Sequence, residues 1–147
     1  MAATTVVSVR LDPNEVEKLK QLARRAGRTP SEVGADLLSE SIRRSDFAFI
    51  EFRGSASGRQ AYIQGTRLSV WQAITVLRSY DGNTAKSAAH LRWPEAKVHA
   101  AIAYTKAFPA EIEEAIKENE SVDFERLSRL LPGIQRFEDL NLPKSRK

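Results

Sequence analysis

The hydrophobic positions along this chain fall into stretches of two different periods. Residues 5 to 11, Thr-Val-Val-Ser-Val-Arg-Leu, alternate with period two, so a strand here would put Val7, Val9 and Leu11 on one face and Val6, Ser8 and Arg10 on the other. Asp12, Pro13 and Glu15 then follow in the order of an N-cap, a proline at the first helical position and the acid of a capping box. Val16, Leu19, Leu22, Ala23 and Ala26 recur at helical spacing up to Gly27. A second start, Thr29-Pro30-Ser31-Glu32, precedes Leu37, Leu38 and Ile42 and predicts a helix to about Arg44. Residues 47 to 52 and 59 to 63 are strand-like around Gly54-Ser55-Ala56-Ser57-Gly58, which reads as a β-hairpin.

Helical spacing returns in the second half. Ser69 and Gln72 form a capping box over a helix from Val70 to Tyr80, and Asn83 or Thr84 caps a short helix to about His90. Pro94 and Glu95 open a helix carrying Val98, Ala101, Ile102 and Thr105 on one stripe, with Pro109 as its stop. A further helix is expected over residues 110 to 119, and a short one over 124 to 131, before Pro132-Gly133 and the tail. There is no internal repeat.

Composition narrows what such a chain can do. Its 147 residues carry 23 Lys and Arg against 19 Asp and Glu, a net charge of +4, with 41% hydrophobic and 29% charged residues, which is globular rather than disordered composition. The charge is uneven: residues 1 to 45 carry +2, 46 to 109 carry +4, and 110 to 147 carry −2. No apolar run approaches the roughly 18 residues of a membrane span and no secretory leader pattern opens the chain, so no membrane association is expected. The absence of cysteine excludes disulfides and thiolate chemistry and fits a cytoplasmic protein. His90 and His99 lie nine apart on different expected helices without a ligand pattern, so no metal or cofactor is expected. Glu111, Glu113 and Glu114 fall in the first turn after Pro109, where they oppose the helix dipole, and the hairpin loop lacks the continuation of a phosphate cradle. Nothing pairs a nucleophile with a base, so the chain reads as a non-enzyme.

About 45 residues forming one strand and two helices can hardly bury a core alone, and a lone strand has no ladder partner. A second copy supplies both, and an antiparallel pair of such strands would turn Ser8 and Arg10 outward on a ribbon that fits a DNA major groove. The string Val-Val-Ser-Val-Arg-Leu-Asp-Pro-Asn-Glu-Val-Glu-Lys-Leu, followed by Ala-Gly-Arg-Thr-Pro-Ser-Glu-Val, resembles the bacterial ribbon-helix-helix repressors over residues 4 to 44. The resemblance implies base contacts at Ser8 and Arg10, with Val6 against a thymine methyl or idle, and a phosphate near Arg28, Thr29 and Ser31. Arg can indeed bond guanine bidentately, and exposed helix N-terminal amides favour anions. The alternative is an edge strand with a solvated Arg10.

Residues 48 to 119, with Gly-Thr-Arg-Leu-Ser-Val-Trp at 65 to 71, resemble a second bacterial family, catalogued as domain of unknown function four-three-three and similar to VapB-type antitoxins. Within it, Arg67 beside the Gly65 turn reads either as a packing clamp, the favoured reading, or as an anion contact. Residues 84 to 107 look like a helix-turn-helix, with Ala88 at the helix crossing and Leu91 and Val98 facing the core. Its second helix is expected to expose Lys97, His99, Ala100, Ala103 and Tyr104, a surface poor in base-reading side chains, which favours a protein contact or dimerisation. DNA contact by Arg92 and Lys97 is the alternative.

The expected fold is therefore mostly α with small β elements: a ribbon-helix-helix unit over 1–45 with an intermolecular two-stranded ribbon, a β-hairpin and helix-turn-helix-like module over 46–119, and a partner-binding tail over 120–147. Together the two resemblances imply an antitoxin that represses its own operon on double-stranded operator DNA and neutralises a cognate PIN-like ribonuclease toxin. It would act as a homodimer that could pair into a tetramer. Phe124, Arg126, Leu127, Arg129, Leu130 and Arg136 are the toxin-contacting candidates, all but Arg136 on a segment, residues 124 to 131, that could equally be an ordinary packing helix. A stand-alone transcription regulator and a protein-interaction adaptor that binds no DNA are the competing readings.

Overall fold

The computed structural model describes residues 3–55, 58–120 and Arg129. Its element order is α1 (Pro13–Ala26), α2 (Pro30–Asp46), β1 (Ile50–Ser55), β2 (Gly58–Ile63), α3 (Val70–Ser79), α4 (Thr84–Leu91), α5 (Glu95–Ala107) and α6 (Pro109–Glu120).

The expected opening strand is absent. Residues 3 to 12 have no regular secondary structure, and the one sheet among the described residues is the hairpin β1–β2, so the chain begins with helices rather than with a ribbon strand. This overturns the ribbon-helix-helix fold expected for the first 45 residues. A strand is stabilised by its ladder, and no described segment of this chain is paired with residues 5 to 11.

Local chemistry sets the helix ends. Asp12 accepts from Asn14 N and Glu15 N and closes a capping box on α1, and Gly27, at φ 63°, ends that helix in the left-handed conformation that glycine adopts without a Cβ penalty. Thr29 and Glu32 form the same box on α2. Gly34 of α2 faces Leu19 of α1 where the two helices pack, and a Cβ there would make an ordinary van der Waals contact, 3.6 Å from Leu19 Cδ2. The first hairpin strand lies three residues later than the apolar run suggested. Phe47 is instead the C-cap of α2, and Phe49 takes a left-handed φ of 60° that turns the chain into β1. The antiparallel register then pairs Ile50 with Ile63 and Phe52 with Ala61.

One core lies between the hairpin and the later helices. Ile50, Ala61 and Ile63 meet Val70, Ala73 and Ile74 of α3, Ala101 and Tyr104 of α5, and Ile112 and Ile116 of α6. Phe47, Phe52, Trp71, Trp93 and Phe108 pack around them. Tyr104, fully buried, is the largest side chain at the centre, with Phe108 at 4.8 Å, Phe47 at 5.5 Å and Phe52 at 6.4 Å between ring centroids. The expected exposure of Tyr104 is thus reversed, since the same α5 face that carries Val98 and Ala101 turns it inward. Lys97 and Ala100 are half-buried, leaving His99 and Ala103 as the exposed members of that set.

Candidate nucleic-acid and partner interfaces

The first 42 residues carry large hydrophobic side chains that no other described residue covers. Val6, Val7, Val9, Leu11, Leu22, Leu37, Leu38 and Ile42 are all exposed, Val6 at 89% and Ile42 at 61%, and Phe49 is the only other large hydrophobic residue so exposed among those described. In α1 only Ala23 is buried, and in α2 no residue is. Ser8 and Arg10 lie in the same N-terminal segment, both exposed, and Arg10 has no hydrogen-bond or ion-pair partner among the described residues.

The candidate phosphate corner at the start of α2 is already furnished with carboxylates. Thr29 N and Oγ1 both donate to Glu32 Oε2 at 2.9 Å, and these bonds, the backbone one foremost, hold the Glu32 carboxyl below its usual range. Arg28 is ion-paired with Asp36, which raises its pKa further, and Ser31 is exposed. Arg24 and Arg25 end α1 beside this corner, exposed and flanking the Gly27 turn. An incoming phosphate would compete with Asp36 for Arg28.

The second candidate surface is not a single cluster. Arg67 is exposed and unpartnered among the described residues, so it is not the clamp of the Gly65 turn. That part falls to Arg53, whose Nη1 donates to Thr66 O at 2.8 Å while Nη2 pairs with Glu51, and to Lys97, whose Nζ donates to Gln64 O at 3.0 Å. Arg92 is exposed at the end of α4 in the left-handed region, φ 56°, and leads through Trp93-Pro94 into α5. Ala88 is buried at that crossing, and Val98 is buried in the core-facing row of α5. His90, on α4, is tied to Tyr80 by a 2.9 Å hydrogen bond.

Sequence reasoning missed the group that ties the first helices to the rest. Arg43 Nη1 donates to Tyr104 Oη at 2.8 Å and to Glu111 Oε2 at 2.7 Å, and Tyr104 Oη donates to Glu111 Oε1 at 2.8 Å. The guanidinium also lies 3.9 Å from the centroid of Phe108. Burial, then the Glu111 carboxylate, drive the Tyr104 phenol well above its ordinary range. A second link joins Arg59 of β2 to Glu40 of α2 through two bonds, 2.5 and 2.7 Å. No local pattern announces either link, because the partners lie 19 to 68 residues apart.

Of the toxin-contacting candidates, Phe124, Arg126, Leu127, Leu130 and Arg136 lie outside the described residues, and Arg129 is exposed and helical. No helix among the described residues is long and apolar enough to cross a membrane. No protein-family model, curated protein or solved structure matches the chain.

Proposed function

We propose that this protein is a DNA-binding antitoxin that acts as a homodimer, represses its own operon and neutralises a cognate PIN-like ribonuclease. The observation that carries the reading is the uncovered apolar face of the N-terminal segment, α1 and α2. Eight large hydrophobic side chains are exposed there among the described residues, and a second copy of the same elements would cover them. The free Arg10 and Ser8 sit in that segment, and Arg24, Arg25 and Arg28 gather at the α1–α2 turn. Dimerisation would double this set of cations on one molecule and supply the positive surface a duplex requires. The module from β1 to α6 and the residues beyond it are the part assigned to the toxin.

The test is an electrophoretic mobility shift with the upstream promoter, repeated over a range of salt, together with co-purification of the product of the neighbouring gene. A sequence-preferring complex that weakens steeply with salt and a co-purifying small nuclease are expected. Promoter binding without a co-purifying partner would leave a stand-alone regulator. Failure to bind the promoter at any salt would refute the DNA reading.

A further inference from the structure

A groove of about 310 Å³ runs between β2, α3 and α6, on a face that none of the exposed hydrophobic residues of the N-terminal half lines. Its apolar lining is Ala61, Trp71, Ile112 and Ala115, and Trp71 is only half-buried, with its indole N–H donating to Gln60 Oε1 at 3.3 Å. Glu111, Glu114 and Glu118 line it from α6 at positions i, i+3 and i+7, one side of that helix. The one lining cation, Arg59, is engaged by both oxygens of Glu40. Glu111 is taken up by Arg43 and Tyr104, whereas Glu114 is exposed and has no partner among the described residues.

An aromatic wall, an aliphatic floor and the unpartnered carboxylate of Glu114 together form a recognition set for an arginine or lysine carried beside an aliphatic side chain. The same charge repels a nucleic-acid backbone. We infer that this groove docks a basic, partly apolar segment of a partner protein, with Trp71 and Glu114 as its main contacts. The inference gives the partner-facing side of the molecule a chemistry of its own and does not depend on the N-terminal half meeting DNA.

The full-length protein, labelled for nuclear magnetic resonance, is titrated with a capped hexapeptide of alternating leucine and arginine, and separately with its leucine–glutamate counterpart. Saturable shifts at the Trp71 indole N–H and the Glu114 and Ala115 amides are expected with the arginine peptide alone. Affinity should fall about fivefold or more in Glu114→Gln/Glu118→Gln, a pair of surface changes that leaves the core intact, and also in Trp71→Leu. No shift at Trp71, an equal response to the glutamate peptide, or unchanged affinity in the folded glutamine variant would overturn the proposal. Promoter binding by the same samples reports separately on the DNA reading.

Discussion

At the scale of single residues, Tyr104 shows where spacing stops being informative. Its place two turns after Lys97 suggested a surface position, yet the ring is fully buried and its hydroxyl is shared between Arg43 and Glu111, which are 61 residues upstream and 7 downstream. Periodicity ranks faces by hydrophobicity, and a tyrosine satisfies either an inner or an outer face until its hydroxyl partner is known. Tyr104→Phe keeps the ring and the 2.7 Å Arg43–Glu111 contact while deleting two hydrogen bonds, so it should cost about 1 to 2 kcal/mol in urea denaturation. It should also change the alkaline limb. A phenol whose folded pKa is raised contributes stability that is complete below its unfolded value near 10.0 and is lost as pH rises above it. The phenylalanine variant should therefore lose less stability between neutral pH and strongly alkaline pH than the parent, and equal losses would show that Tyr104 does not carry that limb. Arg10 was legible by type alone: exposed and unpartnered, it can be truncated without touching the fold. If it reads a base, Arg10→Ala should cost about 1 to 3 kcal/mol at the operator with an unchanged melting temperature, and undiminished operator affinity would remove it from the interface.

At the scale of elements, what was legible is what is local. The capping boxes Asp12–Glu15, Thr29–Glu32 and Ser69–Gln72 all form, and they put the starts of α1, α2 and α3 at the positions the sequence indicates. The hairpin register was less legible, because the aromatic run at residues 47 to 52 serves two purposes: Phe47 ends α2 and packs on Tyr104, and only from Ile50 does the ladder begin. The opening strand failed for the complementary reason, since alternation records which residues could share a face but supplies no partner. Ser69 tests how much a local device is worth here. It is almost wholly buried, accepts from Gln72 N and donates to Gln72 Oε1, so Ser69→Ala leaves a buried helix start short of its cap. A loss of about 1 to 2 kcal/mol in chemical denaturation is expected. The exposed caps, at Asp12 and Thr29, should cost less when replaced by alanine, because water can reach the freed amides; an equal penalty would show that burial does not amplify the cap.

At the scale of the whole molecule the exposed face of α1 and α2 and the links of α2 to the module belong to one argument. α2 is held from one side by Arg43 on Glu111 and Tyr104 and by Arg59 on Glu40, so its orientation is set by the module, while its other large hydrophobics, Leu37, Leu38 and Ile42, remain exposed. A second copy docking there would meet a surface already fixed in place, which lowers the ordering cost of association. A charge in such an interface, repeated by symmetry, costs several kcal/mol of association, whereas in an isolated monomer the same side chain would simply point into water. Leu38→Glu/Ile42→Glu should therefore give a folded monomer with the helical circular dichroism of the parent, sedimenting at the mass of one chain, and with promoter affinity lost in parallel. A variant that stays dimeric would place the interface elsewhere. A variant that becomes monomeric yet binds the promoter as tightly would separate dimerisation from DNA binding, and the apolar face would then have to be explained by a different partner.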